Sequence, residues 1–180
     1  GEWKTMKLGE VVYINKGQQL NKSKLTDDDQ FPVINGGIEP SGYTNDWNTE
    51  KDTITISEGG NSCGFVNLIN SRFWAGGHCY VLSLNGSNFE VNYTYQVLKN
   101  LEPSIMSLRV GSGLPNIQKS NLGKLQIFCP LSKDEQTAIA QVLSDLDLEI
   151  TNMESKLSKL KLIKQGAMQQ LLTGKIRLKF

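Results

Sequence analysis

Residues 132–174 read SKDEQTAIAQVLSDLDLEITNMESKLSKLKLIKQGAMQQLLTG, and the spacing of apolar positions in this stretch decides the architecture of the chain. Ile139, Leu143, Leu146, Ile150, Met153, Leu157 and Leu160, then Ala167 and Leu171, recur at steps of four and three, interrupted only by Lys164. A 3.5-residue seam sustained over several heptads predicts a long helix packed against another long helix. Ser132 followed by Glu135 has the form of a capping box, in which each side chain satisfies a backbone N–H that the first turn leaves unpaired. Gly174 is placed to end the helix. At 1.5 Å per residue, about forty residues make a rod of roughly 60 Å. A compact domain within a chain of 180 residues cannot bury such a seam along its length, so a partner helix is required.

The charges beside the seam select the partner's direction. With Leu143, Ile150 and Leu157 at position a, the flanking e and g positions are Asp147, Glu149 and Glu154, then Lys156 and Lys161. Parallel pairing in register sets Glu149 against Glu154 and Lys156 against Lys161. Reversing one helix sets Glu149 near Lys156 and Asp147 near Lys161, with a two-fold axis close to Met153. Each exposed pair contributes less than ~1 kcal/mol, so charge orients while the apolar seam supplies affinity. The plainer alternative, in which the helix lies on its own domain and the charges form a wet face, stays open from sequence.

Outward from the helix, the texture changes. Up to about residue 91, short β-favouring runs (Val11-Val12-Tyr13-Ile14, Phe31-Pro32-Val33-Ile34, Thr53-Ile54-Thr55-Ile56, residues 64–68 and 79–84) alternate with Gly, Asn, Ser and Asp. Residues 92–101 carry Tyr95, Val97, Leu98 and Leu101 at helical spacing and stop before Pro103, and residues 125–128 return a last strand. The fold class is therefore α+β: a β-rich domain over residues 1–131, a long helix over 132–174 forming an antiparallel coiled coil with a partner helix, and a basic tail over 175–180.

Hydrophobic residues at 38%, charged residues at 21% and a mean hydropathy of −0.32 describe a chain able to fill a core and fold. A net charge of +1 argues against a surface that grips nucleic acid everywhere. The positive charge is localised: residues 1–132 hold eleven basic and twelve acidic side chains, whereas residues 150–180 hold seven basic ones and a single acid, Glu154. No apolar run approaches the ~18 residues of a membrane span. Three cysteines, Cys63, Cys79 and Cys129, lack C-x-x-C spacing, which argues against a disulfide framework and for the cytoplasm. The opening Gly1-Glu2-Trp3 carries no signal-peptide pattern, and the missing initiator Met points to trimming or a cloning remnant.

Motifs for chemistry are weak. Val110-Gly111-Ser112-Gly113-Leu114-Pro115-Asn116-Ile117 lacks the Gly-Lys-Ser/Thr ending of a phosphate loop, and Pro115 stands where a dinucleotide loop would begin its helix. One histidine, His78, beside Cys79 does not make a metal site. Neighbours on a strand point to opposite faces, which argues against a His78–Cys79 thiol hydrolase. No cofactor and no metal are expected.

Together the motifs resemble a known family. Gly111-Ser112-Gly113-Leu114-Pro115-Asn116-Ile117, Leu122 with residues 125–127, Pro130-Leu131 with Glu135-Gln136, Ile139-Ala140 and Leu143, and Leu171-Leu172-Thr173-Gly174-Lys175 with Arg177-Leu178 look like the DNA specificity subunit of Type I restriction-modification systems. Trp3 with Leu8-Gly9-Glu10, and residues 57–66, look like that family's target recognition domain. The resemblance covers nearly the whole chain. It implies a non-catalytic subunit that reads half of a bipartite sequence in double-stranded DNA. It also implies an antiparallel spacer helix and a docked methyltransferase subunit, through which the restriction subunit is reached. The family's usual subunit carries two recognition domains and two spacer helices, whereas this chain has one of each, so either two copies act as a homodimer or the chain is half of a larger protein.

Recognition needs side chains for base edges and phosphates, and Gln19, Lys22, Lys24, Asn35, Tyr43, Asn61, Ser62 and Arg72 are the candidates, with Arg72 and Lys22 foremost. Asn and Gln pair bidentately with adenine, Arg with guanine, and Lys with phosphate. Polar loops of this composition also connect strands in any β-rich domain, which leaves a coiled-coil adaptor that binds protein as the alternative. Lys161, Lys164, Lys175, Arg177 and Lys179 suit a DNA backbone, an acidic face of the methyltransferase subunit, or a solvated helix end. Gly166 is costly in a helix and suggests a crossing or bend.

Overall fold

A computed structural model describes residues 1–179 apart from Asn85, Ser87 and Ser112. The Ser112 position of the Gly-rich motif thus lies outside the described residues, as does Phe180. The chain divides into two units, Gly1–Ala140 and Gln141–Phe180. The division falls about two helical turns beyond the expected boundary after Leu131.

Along the chain the elements are β1 (Trp3–Lys7), α1 (Leu8–Val11), β2 (Val12–Lys16), a 3-10 turn (Lys22–Lys24), β3 (Phe31–Ile34), β4 (Tyr43–Thr44), β5 (Thr53–Ser57), β6 (Val66–Ile69), β7 (Trp74–Ala75), β8 (Cys79–Leu84), α2 (Val91–Asn100), α3 (Glu102–Ser107), α4 (Lys119–Gly123), β9 (Gln126–Pro130) and α5 (Lys133–Leu171). In the first unit an antiparallel sheet runs β2-β8-β5-β6. Its register sets Ile54 against Leu82 and Ile56 against Tyr80, with Thr55 against Val81 between them. Strand alternation then sends Tyr80 and Leu82 into a large core with Val11, Val12, Tyr93, Leu98 and Leu122, and Cys79 and Val81 into a small one with Ile34, Ile69, Phe73 and Ala75. The small core supports a second sheet, β4-β3-β7, in which β3 pairs antiparallel to β4 and parallel to β7.

Three local expectations change. Val11, expected to open a strand, closes α1 and is fully buried there. Strand β1 was not anticipated, because its partner β9 lies about 125 residues away and turn chemistry cannot announce such a pairing. The capping box is only half formed: Glu135 N–H donates to Ser132 Oγ at 3.4 Å, while the Glu135 carboxylate accepts from Trp3 Nε1 at 2.9 Å. The start of α5 is instead held by Gln136, whose side chain is fully buried. Its Nε2 donates to the carbonyls of Pro130 and Asn88 at 2.9 and 3.2 Å, and its Oε1 accepts from Glu90 N–H at 3.0 Å. Ala140 is buried and Ile139 packs against the large core, so Ile139, expected to begin the seam, covers the recognition unit's own interior.

In the second unit the seam is bare. Leu143, Leu146, Ile150, Met153, Leu157, Leu160 and Leu171 are all exposed, from 38% at Leu143 to 60% at Met153, and Ile163 adds apolar surface beside the seam. Gly166 sits in uninterrupted helix with open space where a Cβ would stand, so no described residue of the chain makes the expected close crossing there. Gly174 adopts φ +72°, the left-handed conformation that glycine takes without a side-chain clash, and its N–H closes on Leu171 O at 3.2 Å.

Candidate nucleic-acid interface

The small sheet and the loops around it gather most of the proposed contact residues. Thr26 and Tyr43 exchange backbone hydrogen bonds at 2.9 and 2.8 Å, which draws the 3-10 turn carrying Lys22 and Lys24 beside β4. Lys24 Nζ meets Asp46 Oδ2 at 2.9 Å. A second clasp joins residues 47–50 to 72–75: Thr49 and Phe73 exchange backbone bonds at 3.1 Å, and the Asn48 amide brackets Ala75, accepting from its N–H at 2.7 Å and donating to its carbonyl at 3.2 Å. Phe73 is completely buried, which fixes the backbone from which the exposed Arg72 projects. Gln19 lies against Gly77, and Trp74 Nε1 donates to Gln18 O at 2.7 Å.

The candidates do not all serve alike. Lys22 and Gln19 are exposed, and among the described residues Lys22 makes no ion pair. Asn35 is half-buried and spent on the fold: its Oδ1 accepts from His78 N–H at 3.2 Å and its side chain fills the space above Gly76. Tyr43 is exposed on β4. Asn61 and Ser62 stand apart, in the turn after β5 that Gly60 N–H ties to Pro115 O at 3.0 Å. Because Lys24 and Arg72 each face a carboxylate, the surface is close to electrically neutral at these points. Exposed pairs of this kind are worth at most ~1 kcal/mol, so they exchange readily for another anionic or polar partner.

Two features were missed in the sequence. A cleft of about 480 Å³ is lined by Lys16, Asn35, Glu58, Gly59, Gly60, His78 and residues 114–116. In it, Lys16 Nζ lies 2.9 Å from the Glu58 carboxylate, whose side chain is only 13% exposed. Gly36, at φ +86°, allows the backbone of His78 to approach: a Cβ there would stand 2.5 Å from the His78 carbonyl. The other missed feature is the stack of Arg72 on Trp47, with its Cζ 4.3 Å from the ring centroid. Neither was visible locally, since the partners are separated by 42 and 25 residues.

Ionisation follows burial. Burial pushes the Cys79 thiol up to about 12, which keeps it protonated and removes it as a nucleophile. Burial, reinforced by the Glu58 carboxylate, raises the Tyr80 phenol to about 12, and burial does the same to Tyr93. A folded-state value above the ordinary 10.0 means the unfolded chain loses its protons first, so this stability is intact below about pH 10 and is lost as pH rises towards 12. Cys79, raised from an ordinary 9.0, adds to the loss from about pH 9; denaturation midpoints should therefore begin to fall near pH 9 and fall more steeply from about pH 10 to 12, where Tyr93→Phe should make the fall shallower.

Among the described residues no three His, Cys, Asp or Glu side chains gather as metal ligands, and no helix is long and apolar enough to cross a membrane. Comparison with known proteins is specific. Residues 1–162 match the type I restriction modification DNA specificity domain. A protein of Mycoplasma pneumoniae named as a type I specificity subunit is 37% identical over 84% of this chain and 40% of its own length. The EcoDI specificity subunit of Escherichia coli is 26% identical over 96% of this chain and 37% of its own. The chain thus spans about 40% of the length of these curated relatives. The crystal structure of a type I restriction-modification S subunit from M. genitalium superposes with a TM-score of 0.81 at 29% identity, over 94% of this chain and 45% of that one. The HsdS subunit from Thermoanaerobacter tengcongensis shares the fold, with a TM-score of 0.65 at 20% identity over 93% of this chain and 44% of that one. From the head through most of the long helix, the chain belongs to the type I restriction-modification DNA specificity family.

Proposed function

We propose that the first unit reads one half of an interrupted DNA sequence while α5, paired antiparallel with a like helix, sets the distance to a second reading head. The observation that carries this is the bare seam in a chain whose family match takes in both the head and the helix. Contiguous exposed apolar surface marks a binding face, and heptad spacing fits a helical occupant. The chain contributes recognition and no chemistry. An adenine methyltransferase subunit docks on it in the cytoplasm, and the restriction subunit joins through that partner. The basic side chains from Lys161 to Lys179 meet either the DNA backbone or an acidic face of the methyltransferase subunit.

With two copies, the two heads present the same surface, so the site should be two-fold symmetric with an unread spacer. Methylome sequencing of a host expressing the chain with its methyltransferase subunit is expected to show one such motif. Absence of sequence-specific methylation would falsify the assignment, and an asymmetric motif would replace the homodimer with two different heads. A protein-binding adaptor would show no duplex binding that weakens with added salt, whereas phosphate contacts predict a linear fall of log affinity with log salt.

A further inference from the structure

Resting on that reading, we propose that Trp47 and Glu50 are positioning residues that hold Arg72 as a preset fork for one guanine of the half-site. Three observations converge. The Arg72 guanidinium lies over the Trp47 ring, 4.3 Å from its centroid. Its Nε donates to Glu50 Oε2 at 3.0 Å. Glu50 and Arg72 flank the Thr49–Phe73 backbone clasp, so the ion pair joins two loop segments already tied to each other by a pair of backbone hydrogen bonds.

Stability does not account for this arrangement. The Arg72 and Glu50 side chains are 51% and 59% exposed, a setting in which an ion pair adds little to folding. Orientation does account for it. A guanidinium whose Nε is engaged and whose Cζ rests over an indole ring keeps its two terminal nitrogens as a fork, the geometry that pairs bidentately with guanine O6 and N7 in the major groove. A free arginine side chain loses rotamer freedom when it forms that contact; here the stack and the carboxylate limit that freedom beforehand. The Glu50 carboxylate stays on the Nε side and need not be displaced.

The test uses the full chain with its methyltransferase subunit, once the methylated motif of the unaltered protein is known. Methylation or binding is then measured across duplexes varied at each position of that motif. Arg72→Ala is expected to cut discrimination at one guanine position by about ten- to a hundred-fold, from the worth of a bidentate pair. Trp47→Ala and Glu50→Gln should weaken preference at that same position only, and Trp47→Phe should restore much of it. Thermal midpoints of the variants should stay close to that of the parent, which separates positioning from folding. Loss spread evenly over all sequences would mean that Arg72 holds phosphate and would overturn the proposal. So would variants that change no position, or Trp47 and Arg72 variants that affect different ones. If the unaltered protein shows no sequence preference at all, the functional reading fails first.

Discussion

Lysine in place of both Ile150 and Leu157 is expected to convert a self-associating chain into a monomer of 20.0 kDa and to abolish site-specific methylation. Both side chains are more than half exposed in the single chain, at 54% and 52%, so the substitution costs the isolated helix little. In a paired helix each is buried, and burial of a Leu or Ile side chain is worth about 1.5–3 kcal/mol. Two-fold symmetry repeats every substitution, so four such contributions, of the order of 6–12 kcal/mol, are withdrawn and buried ammonium groups are added. Light scattering across the micromolar range should show loss of the dimer, while the denaturation midpoint of the head remains in place. A chain of the same mass before and after substitution would mean that the stripe serves some other contact.

The second large effect lies in the head. Gln136→Leu keeps the volume approximately but strips Glu90 N–H and the Pro130 and Asn88 carbonyls of their partner. A buried donor or acceptor left unpaired costs about 1–3 kcal/mol, so a loss of about 3–5 kcal/mol is expected from a total of roughly 5–15. Urea denaturation should report a much lower midpoint at an unchanged slope. The two experiments are orthogonal, since one removes association without unfolding the head and the other weakens the head without touching the exposed seam.

The fold was legible in proportion to how local its causes are. Strands β3, β5, β6 and β8 were visible as β-branched runs between turn residues, and α2 as apolar residues at helical steps ending near Pro103. The long helix was the plainest of all, because its periodicity repeats through almost forty residues. By contrast, β1 exists only because β9 returns to it, and the two-residue strands β4 and β7 are too short to carry a pattern. Ile139 fits the heptad and the head equally well by spacing, and packing gave it to the head. In the site, residue type identified Arg72 and Lys22 as suitable. The side chains that orient Arg72 were invisible, since Trp47 and Glu50 reach it through a clasp between distant segments. Asn35 shows the reverse: a suitable type in a polar loop, committed by geometry to the backbone of His78.

Pulsed electron resonance between spin labels tests the antiparallel pair most directly. Cysteines introduced at Ser155 and, separately, at Gln169 carry one label per chain; the native thiols are buried. With a two-fold axis near Met153, the labels at 155 should lie close together across the pair. Those at 169 should lie roughly 50 Å apart, from a rise of 1.5 Å per residue counted along both helices. Short distances at both positions would establish a parallel pair, and no dipolar coupling at either would leave the seam without a second copy; each result contradicts the account.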